Sequence, residues 1–142
     1  MDVLSFEVGP QGAQETAVVL ESFLEALTEA NASYYRRVPK GPCCPKCAGI
    51  RYVAPAELDK LEPGERFLSA ERMTVLGKGS CGSLAAMVAG RLRARGEQAR
   101  VRVELVSDPA DPTRRDYHAY VQLGDGTRHD PAAELVEHGM VA

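Results

Sequence analysis

The stretch Gly77-Lys78-Gly79-Ser80-Cys81-Gly82-Ser83-Leu84-Ala85-Ala86-Met87 decides how this chain is read. A glycine-rich turn runs into a helix of small residues, and Cys81 stands where that helix begins. Peptide N–H groups at a helix start have no intrahelical acceptor, and their partial positive charge favours thiolate over thiol. The helical pattern continues to about Arg95, with Leu84, Val88 and Leu92 on one side and Ala85 and Ala89 beside them. Gly96 is the stop. Gly79 and Gly82 are expected to remove bulk around the sulfur, so that a carbonyl can approach, and the Cys81 N–H is a ready oxyanion donor.

Beyond the helix, Val101, Val103 and Leu105 alternate with Arg100, Arg102 and Glu104, as in a half-buried strand. Asp108-Pro109-Ala110-Asp111-Pro112 reads as an exposed loop, and Tyr117 to Leu123 as a second strand. Alternation puts His118, Tyr120 and Gln122 on one face and Ala119, Val121 and Leu123 on the other. Gly124-Asp125-Gly126 is a hairpin turn, Thr127 to Asp130 returns beside the strand, and Pro131 helps to end it. A helix packed on the His118 face would bring Cys81 to the imidazole, and the returning strand would bring Asp130. Cys81, His118 and Asp130 would then serve as nucleophile, base and orienting acid. Singly, each has a structural explanation: a buried cysteine, a surface histidine, an aspartate capping a turn. Their joint order favours chemistry.

Upstream, residues 3–8 alternate like a short strand, broken by Gly9-Pro10-Gln11-Gly12. A helix is predicted from about Gln14 to Ala32, with Val19, Leu20, Phe23, Leu24 and Leu27 on its core face. Residues 33–48 read as loop, including Tyr34-Tyr35-Arg36-Arg37 as a solvated stretch. Residues 50–53 look extended, Pro55 opens a short helix through Leu61, and Pro63-Gly64 is a turn. Residues 65–76 are ambiguous, with helix as one reading. The expected fold is α+β, N-terminal helices packed on a small antiparallel sheet, as a single domain over residues 1–142.

Composition narrows the function classes. The formal charge of −3 over 142 residues gives no general reason to expect a nucleic-acid partner. Arg91, Arg93 and Arg95 lie near a helix end, where cations complement the dipole. No basic segment followed by a long apolar run opens the sequence, so neither a signal peptide nor a membrane span is expected, and a cytoplasmic location is the default. Three of the four cysteines crowd into Cys43-Cys44-Pro45-Lys46-Cys47, within a loop at 41–48. Cys43, Cys44 and Cys47 could hold zinc with His129 or His138 as a fourth ligand, or form a reversible disulfide. Only half of the usual ligand set is visible, and no spacing ties the cluster to Cys81.

Gly79-Ser80-Cys81 before a small-residue helix, then Tyr117-His118-Ala119-Tyr120-Val121, then Gly126-Thr127-Arg128-His129-Asp130-Pro131 resemble the transglutaminase-like superfamily with its papain-like Cys-His-Asp core. The resemblance spans about residues 77–131. It implies Cys81 as nucleophile, His118 as general base and Asp130 as orienting acid, acting without a required cofactor on a peptide or protein substrate. Superfamily members include peptide hydrolases, amidases, crosslinking acyltransferases and inactive scaffolds. Gly41 to Ala54 and Gly139-Met140 resemble small members encoded among bacteriophage structural genes. That implies an alternative: a non-catalytic assembly protein of a phage particle, with particle proteins as partners. The sequence departs from the family pattern in three ways. Tyr120 stands where many members have tryptophan, Gly82-Ser83 follows the nucleophile instead of an acid, and the side-chain oxyanion donor is unassigned, with Tyr34, Tyr35 and Gln122 as candidates.

Overall fold

The computed structural model describes residues 13–58, 60–62, 66–108 and 111–142. The strand expected at 3–8 and the turn at Pro63-Gly64 lie outside them. The elements are α1 (Ala13–Arg37), β1 (Arg51–Tyr52), α2 (Pro55–Leu58), α3 (Ala70–Leu76), β2 (Lys78–Gly79), α4 (Cys81–Ala94), β3 (Ala99–Asp108), β4 (Asp111–Leu123), β5 (Arg128–His129) and α5 (Pro131–Glu137). The fold is mixed helix and sheet. An antiparallel sheet has the order β3-β4-β5, and β1 pairs with β2 in parallel. No helix among the described residues is long and apolar enough to cross a membrane.

The first helix outruns its expected end at Ala32 by a turn and takes in Tyr34-Tyr35-Arg36-Arg37. Its buried stripe continues through Thr28, Asn31 and Ala32 to Tyr35. Two polar residues and a small one in that stripe hide the 3.6-residue period from a reading that follows large apolar side chains. Arg36 and Arg37 suit the carbonyl end of the helix. Val19, assigned to the core face, is 47% exposed.

Leu24 and Leu27 of α1 meet Ala85, Ala86 and Ala89 of α4, and these meet Ala99 and Val101 of β3 and Ala119 and Val121 of β4. On the other side of α4, Leu84 and Met87 pack with Tyr35, Ile50, Met73, Ala132 and Leu135. The fourth helix is therefore covered nearly all round, which is why it is built of small residues. Gly90 lies at its crossing with α1. A Cβ there would sit 2.5 Å from the Asn31 Cβ and 2.9 Å from the Thr28 carbonyl oxygen.

This packing corrects the expected orientation. The helix covers the Ala119 and Val121 face of β4, not the face that carries His118. Alternation tells which residues share a face; burial energy chooses the apolar one. The loop expected at Asp108 to Pro112 is also corrected, because β3 runs to Asp108 and β4 starts at Asp111, with these two paired. Backbone hydrogen bonds build the ladder, and polar side chains do not prevent them. Pro112 falls where the β3–β4 register shifts, between Asp111 and Arg115, so the ladder asks no N–H of it. The short helix expected through Leu61 stops at Leu58.

Candidate active site

Cys81 is the first residue of α4, and Ser80 is its N-cap. Ser80 is extended at φ −78°, ψ 168°, and its carbonyl accepts the first helical hydrogen bond from Leu84 N at 2.9 Å. A small hydroxyl network fixes this start. Ser80 Oγ donates to the Arg66 carbonyl at 2.9 Å, and the buried Ser83 Oγ accepts from Leu68 N at 2.9 Å. The preceding Gly77-Lys78-Gly79 is held by β1: Arg51 N donates to the Gly77 carbonyl at 2.9 Å, and Val53 N to that of Gly79 at 3.0 Å. Gly77 itself ends α3 in the left-handed region at φ 73°, which glycine adopts without cost.

The two glycines beside the sulfur have a different task from the expected one. A Cβ on Gly79 would run into the Met73 side chain, and one on Gly82 would lie 3.2 Å from Leu24 Cδ2 and near Phe67. Both face the core, so they let the helix start sink against its neighbours.

His118 contacts Asp130 and lies near enough to Cys81 for the thiol to be the largest influence on its titration. The contact to Asp130 runs between Nε2 and Oδ2 at 2.5 Å. This leaves Nδ1 as the ring nitrogen available to the sulfur. The structure thus places His118 against Asp130 and within interaction range of Cys81, although α4 covers the opposite face of β4. The third strand ends at His129, opposite Val121, so the sheet is two strands wide at His118. The imidazolium is held well above its ordinary range, up to about 9. Cys81 is the largest cause, burial opposes it, and Asp130 adds to it.

Asp130 falls one residue beyond the returning strand. It is the N-cap of α5, with Pro131 at the first helical position. Its Oδ1 accepts from Ala133 N at 3.1 Å while Oδ2 serves His118. One carboxylate caps a helix and orients a histidine.

A further layer escaped the sequence reading. Glu104 lies directly across the β3–β4 ladder from His118. Arg128 donates to both Glu104 oxygens, at 2.7 and 3.0 Å, and the pair holds the Glu104 carboxyl below its usual range. The guanidinium carbon stacks 3.9 Å from the Tyr120 ring centre, and Nη2 lies 3.7 Å from Asp130 Oδ2. Alternation could have found this layer, since Tyr120 shares the His118 face and Arg128 lies two residues before Asp130.

The side-chain oxyanion candidates are differently employed. The Tyr35 hydroxyl donates to the Pro42 carbonyl at 2.8 Å, its ring packs edge-on against Tyr34, and burial pushes its pKa up to about 12. Gln122 lines an open groove with Gln98, Arg100 and Gly124. The Cys81 backbone N–H, pointing out of the helix as its first residue, is the donor the site offers.

The arginines near the end of α4 are tied down. Arg93 bridges Glu25 and Glu29 of α1 at 2.5 and 2.6 Å, and Arg91 donates to the Cys43 carbonyl. A cavity of about 160 Å³ lies between α4, α5 and the cysteine loop, lined by Tyr35, Cys43, Cys44, Met87, His129 and Leu135 among others, and Cys81 is not in its wall. The sulfurs of Cys43, Cys44 and Cys47 lie close enough together to hold one metal ion. All four cysteines are free thiols. Neither histidine expected as fourth ligand joins the sulfurs: His138 Nε2 contacts Lys46 Nζ at 3.3 Å, and His129 Nε2 lies 4.0 Å from Glu134.

The family model described as the transglutaminase-like superfamily core matches residues 47–128. The chain belongs to the transglutaminase-like superfamily. The match takes in Cys81 and His118 and stops two residues short of Asp130. No curated protein and no solved structure matches the chain.

Proposed function

We propose that this transglutaminase-like protein is a cysteine-dependent acyl-transfer enzyme, a hydrolase of peptide or amide bonds. The observation that carries the reading is the single imidazole of His118, in contact with Asp130 and close enough to Cys81 to interact with its thiol. In this mechanism His118 takes the thiol proton, and the imidazolium rests against Asp130. The thiolate attacks the substrate carbonyl, and the new oxyanion is received by the Cys81 N–H. As the C–N bond breaks, the imidazolium protonates the leaving amine, giving a thioester on Cys81. His118 then takes a proton from water, the hydroxide adds to the thioester carbonyl, and the thiolate leaves with the carboxylic acid formed. An amine in place of water would give crosslinking. Water is the natural acceptor because the site is open to it: the His118 and Asp130 side chains are 25% and 18% exposed. The substrate is a flexible segment of a peptide or protein. The acyl transfer needs no cofactor, and zinc belongs to the Cys43–Cys47 loop alone.

Iodoacetamide at near-neutral pH tests this. Cys81 should be alkylated faster than Cys43, Cys44 and Cys47, and His118→Ala should slow Cys81 alone. Equal labelling of all four thiols in folded protein would sink the enzyme reading and leave the fold as an inactive scaffold.

A further inference from the structure

Cys43, Cys44 and Cys47 take no part in the acyl transfer, yet the chain gathers them with care. Their three sulfurs all lie within 4.8 Å of one another. The turn that carries two of them is tightly bonded. Cys47 N–H donates to Cys44 Sγ at 3.1 Å, Ala48 N to the Cys44 carbonyl at 3.0 Å, and Gly49 N to the Lys46 carbonyl at 3.1 Å. Gly49 closes it in the left-handed region at φ 73°. Ile50, fully buried, anchors the exit, and its N–H returns to the Pro45 carbonyl at 3.0 Å. The third sulfur is fixed from the other side, since Arg91 of α4 holds the Cys43 carbonyl.

We propose that Cys43, Cys44 and Cys47 form a three-thiolate zinc site whose fourth position opens towards the cavity. Zinc binds thiolate at about 2.3 Å in a tetrahedron, which places two sulfurs about 3.8 Å apart. The observed cluster needs only a small contraction to reach that. Three thiolates around a divalent cation leave one negative charge, offset by Arg91 beside Cys43 and by Lys46 within the turn. Cys43 and Cys44 line the cavity, so water or a small external donor completes the tetrahedron from there. Hard cations such as calcium and magnesium choose oxygen ligands and are excluded. Binding releases the remaining thiol protons to solvent. The ion would stiffen the loop that runs through Ile50 into β1 without entering the chemistry at Cys81.

The test uses the whole chain, kept reduced with a phosphine and titrated with Co²⁺. One equivalent should give a thiolate-to-cobalt charge-transfer band in the near ultraviolet and intense tetrahedral visible bands. Zn²⁺ should abolish both stoichiometrically, and a large excess of Mg²⁺ should not. Cys47→Ser should weaken Co²⁺ binding at least tenfold, whereas Cys81→Ser should leave it unchanged. Zinc-loaded wild type should resist maleimide at Cys43, Cys44 and Cys47 while Cys81 stays open. Absence of the charge-transfer band in reduced wild type overturns the proposal, and so does its loss in Cys81→Ser or an undiminished Co²⁺ affinity in Cys47→Ser. An inert Cys81 alongside a normal cobalt spectrum would remove the enzyme reading and leave the metal site standing.

Discussion

Replacing Asp130 by asparagine separates the two jobs of one carboxylate. In the native site Oδ1 accepts from Ala133 N at 3.1 Å and Oδ2 accepts from His118 Nε2 at 2.5 Å. Asparagine has one acceptor oxygen. If that oxygen caps α5, the amide NH₂ meets Nε2, which must then give up its proton. The neutral ring would carry its proton on Nδ1 and could no longer take one from the Cys81 thiol. The lost counter-charge also lowers the pKa that Asp130 helps to raise. If the amide flips to serve His118, the cap is lost at about 1 kcal/mol.

Both side chains are less than a third exposed, so the His118–Asp130 bond keeps most of the roughly 1.5–3 kcal/mol expected of a hydrogen bond to a charged group. Asp130→Ala, which loses cap and tether together, should therefore cost about 2–4 kcal/mol in denaturant unfolding. Asp130→Asn should cost about 1–3 kcal/mol, because one of the two acceptors survives. Its effect on chemistry should be larger than on stability. Removing effective general-base assistance slows a proton transfer by about 10²–10⁴, so Cys81 alkylation by iodoacetamide near neutral pH should slow at least about 100-fold. The rate is read from the Cys81 peptide by mass spectrometry, with unfolding measured on the same samples. A folded Asp130→Asn protein that labels Cys81 at the native rate would refute the argument. So would an Asp130→Ala protein as stable as the asparagine variant.

Three further outcomes follow from the structure. The folded His118 pKa of about 9 exceeds the ordinary 6.5, first through Cys81 and then through Asp130, so the stability it contributes is complete below about pH 6.5 and disappears as pH rises through about 9. At about 1.4 kcal/mol per pKa unit the difference in unfolding free energy between wild type and His118→Ala should shrink by about 3 kcal/mol between pH near 6 and pH near 10, and a constant difference would contradict it. Gly90→Ala forces a methyl against the Asn31 side chain and the α1 backbone and should cost about 1–3 kcal/mol, read as a lower denaturation midpoint; an unchanged midpoint would mean that the two helices are not so closely crossed. Ser83→Ala orphans the buried Leu68 N–H and should cost about 1–3 kcal/mol, with Ser83→Thr or Ser83→Cys recovering part of it in the same unfolding assay.

Much of the site was legible because its parts are local and ordered along the chain. A glycine-rich turn running into a small-residue helix marks the start of α4 at Cys81, and a Gly-Asp-Gly turn sets Asp130 to return towards His118. What the sequence withheld is relational. Alternation divided β4 into two faces correctly, but the face that receives α4 depends on partners that a strand does not name. The cost of burying Tyr120 and the Glu104–Arg128 pair, against the gain from burying Ala119 and Val121, decides it. The same limit misread Gly79 and Gly82, which face Met73, Leu24 and Phe67 rather than the cleft. The two-residue strands β1 and β2 carry too few side chains to show a period, yet their hydrogen bonds hold the turn that delivers Ser80 and Cys81.

Asp130 shows why a structural and a functional explanation of one residue need not compete. A carboxylate that only capped α5 would be free to rotate its second oxygen, and a carboxylate that only met His118 would need its own anchor. The two bonds complete each other: Ala133 N holds Oδ1, His118 Nε2 holds Oδ2, and together they fix the carboxylate. Arg128 Nη2, 3.7 Å from the same oxygen and itself clamped by Glu104 and Tyr120, adds positive charge beside the carboxylate. The imidazole is thus oriented by a helix start behind Asp130 and approached by another helix start at Cys81. Two short helices, each begun by a capping side chain, meet at one histidine at the edge of a narrowing sheet, and the geometry of the site follows from where those helices begin.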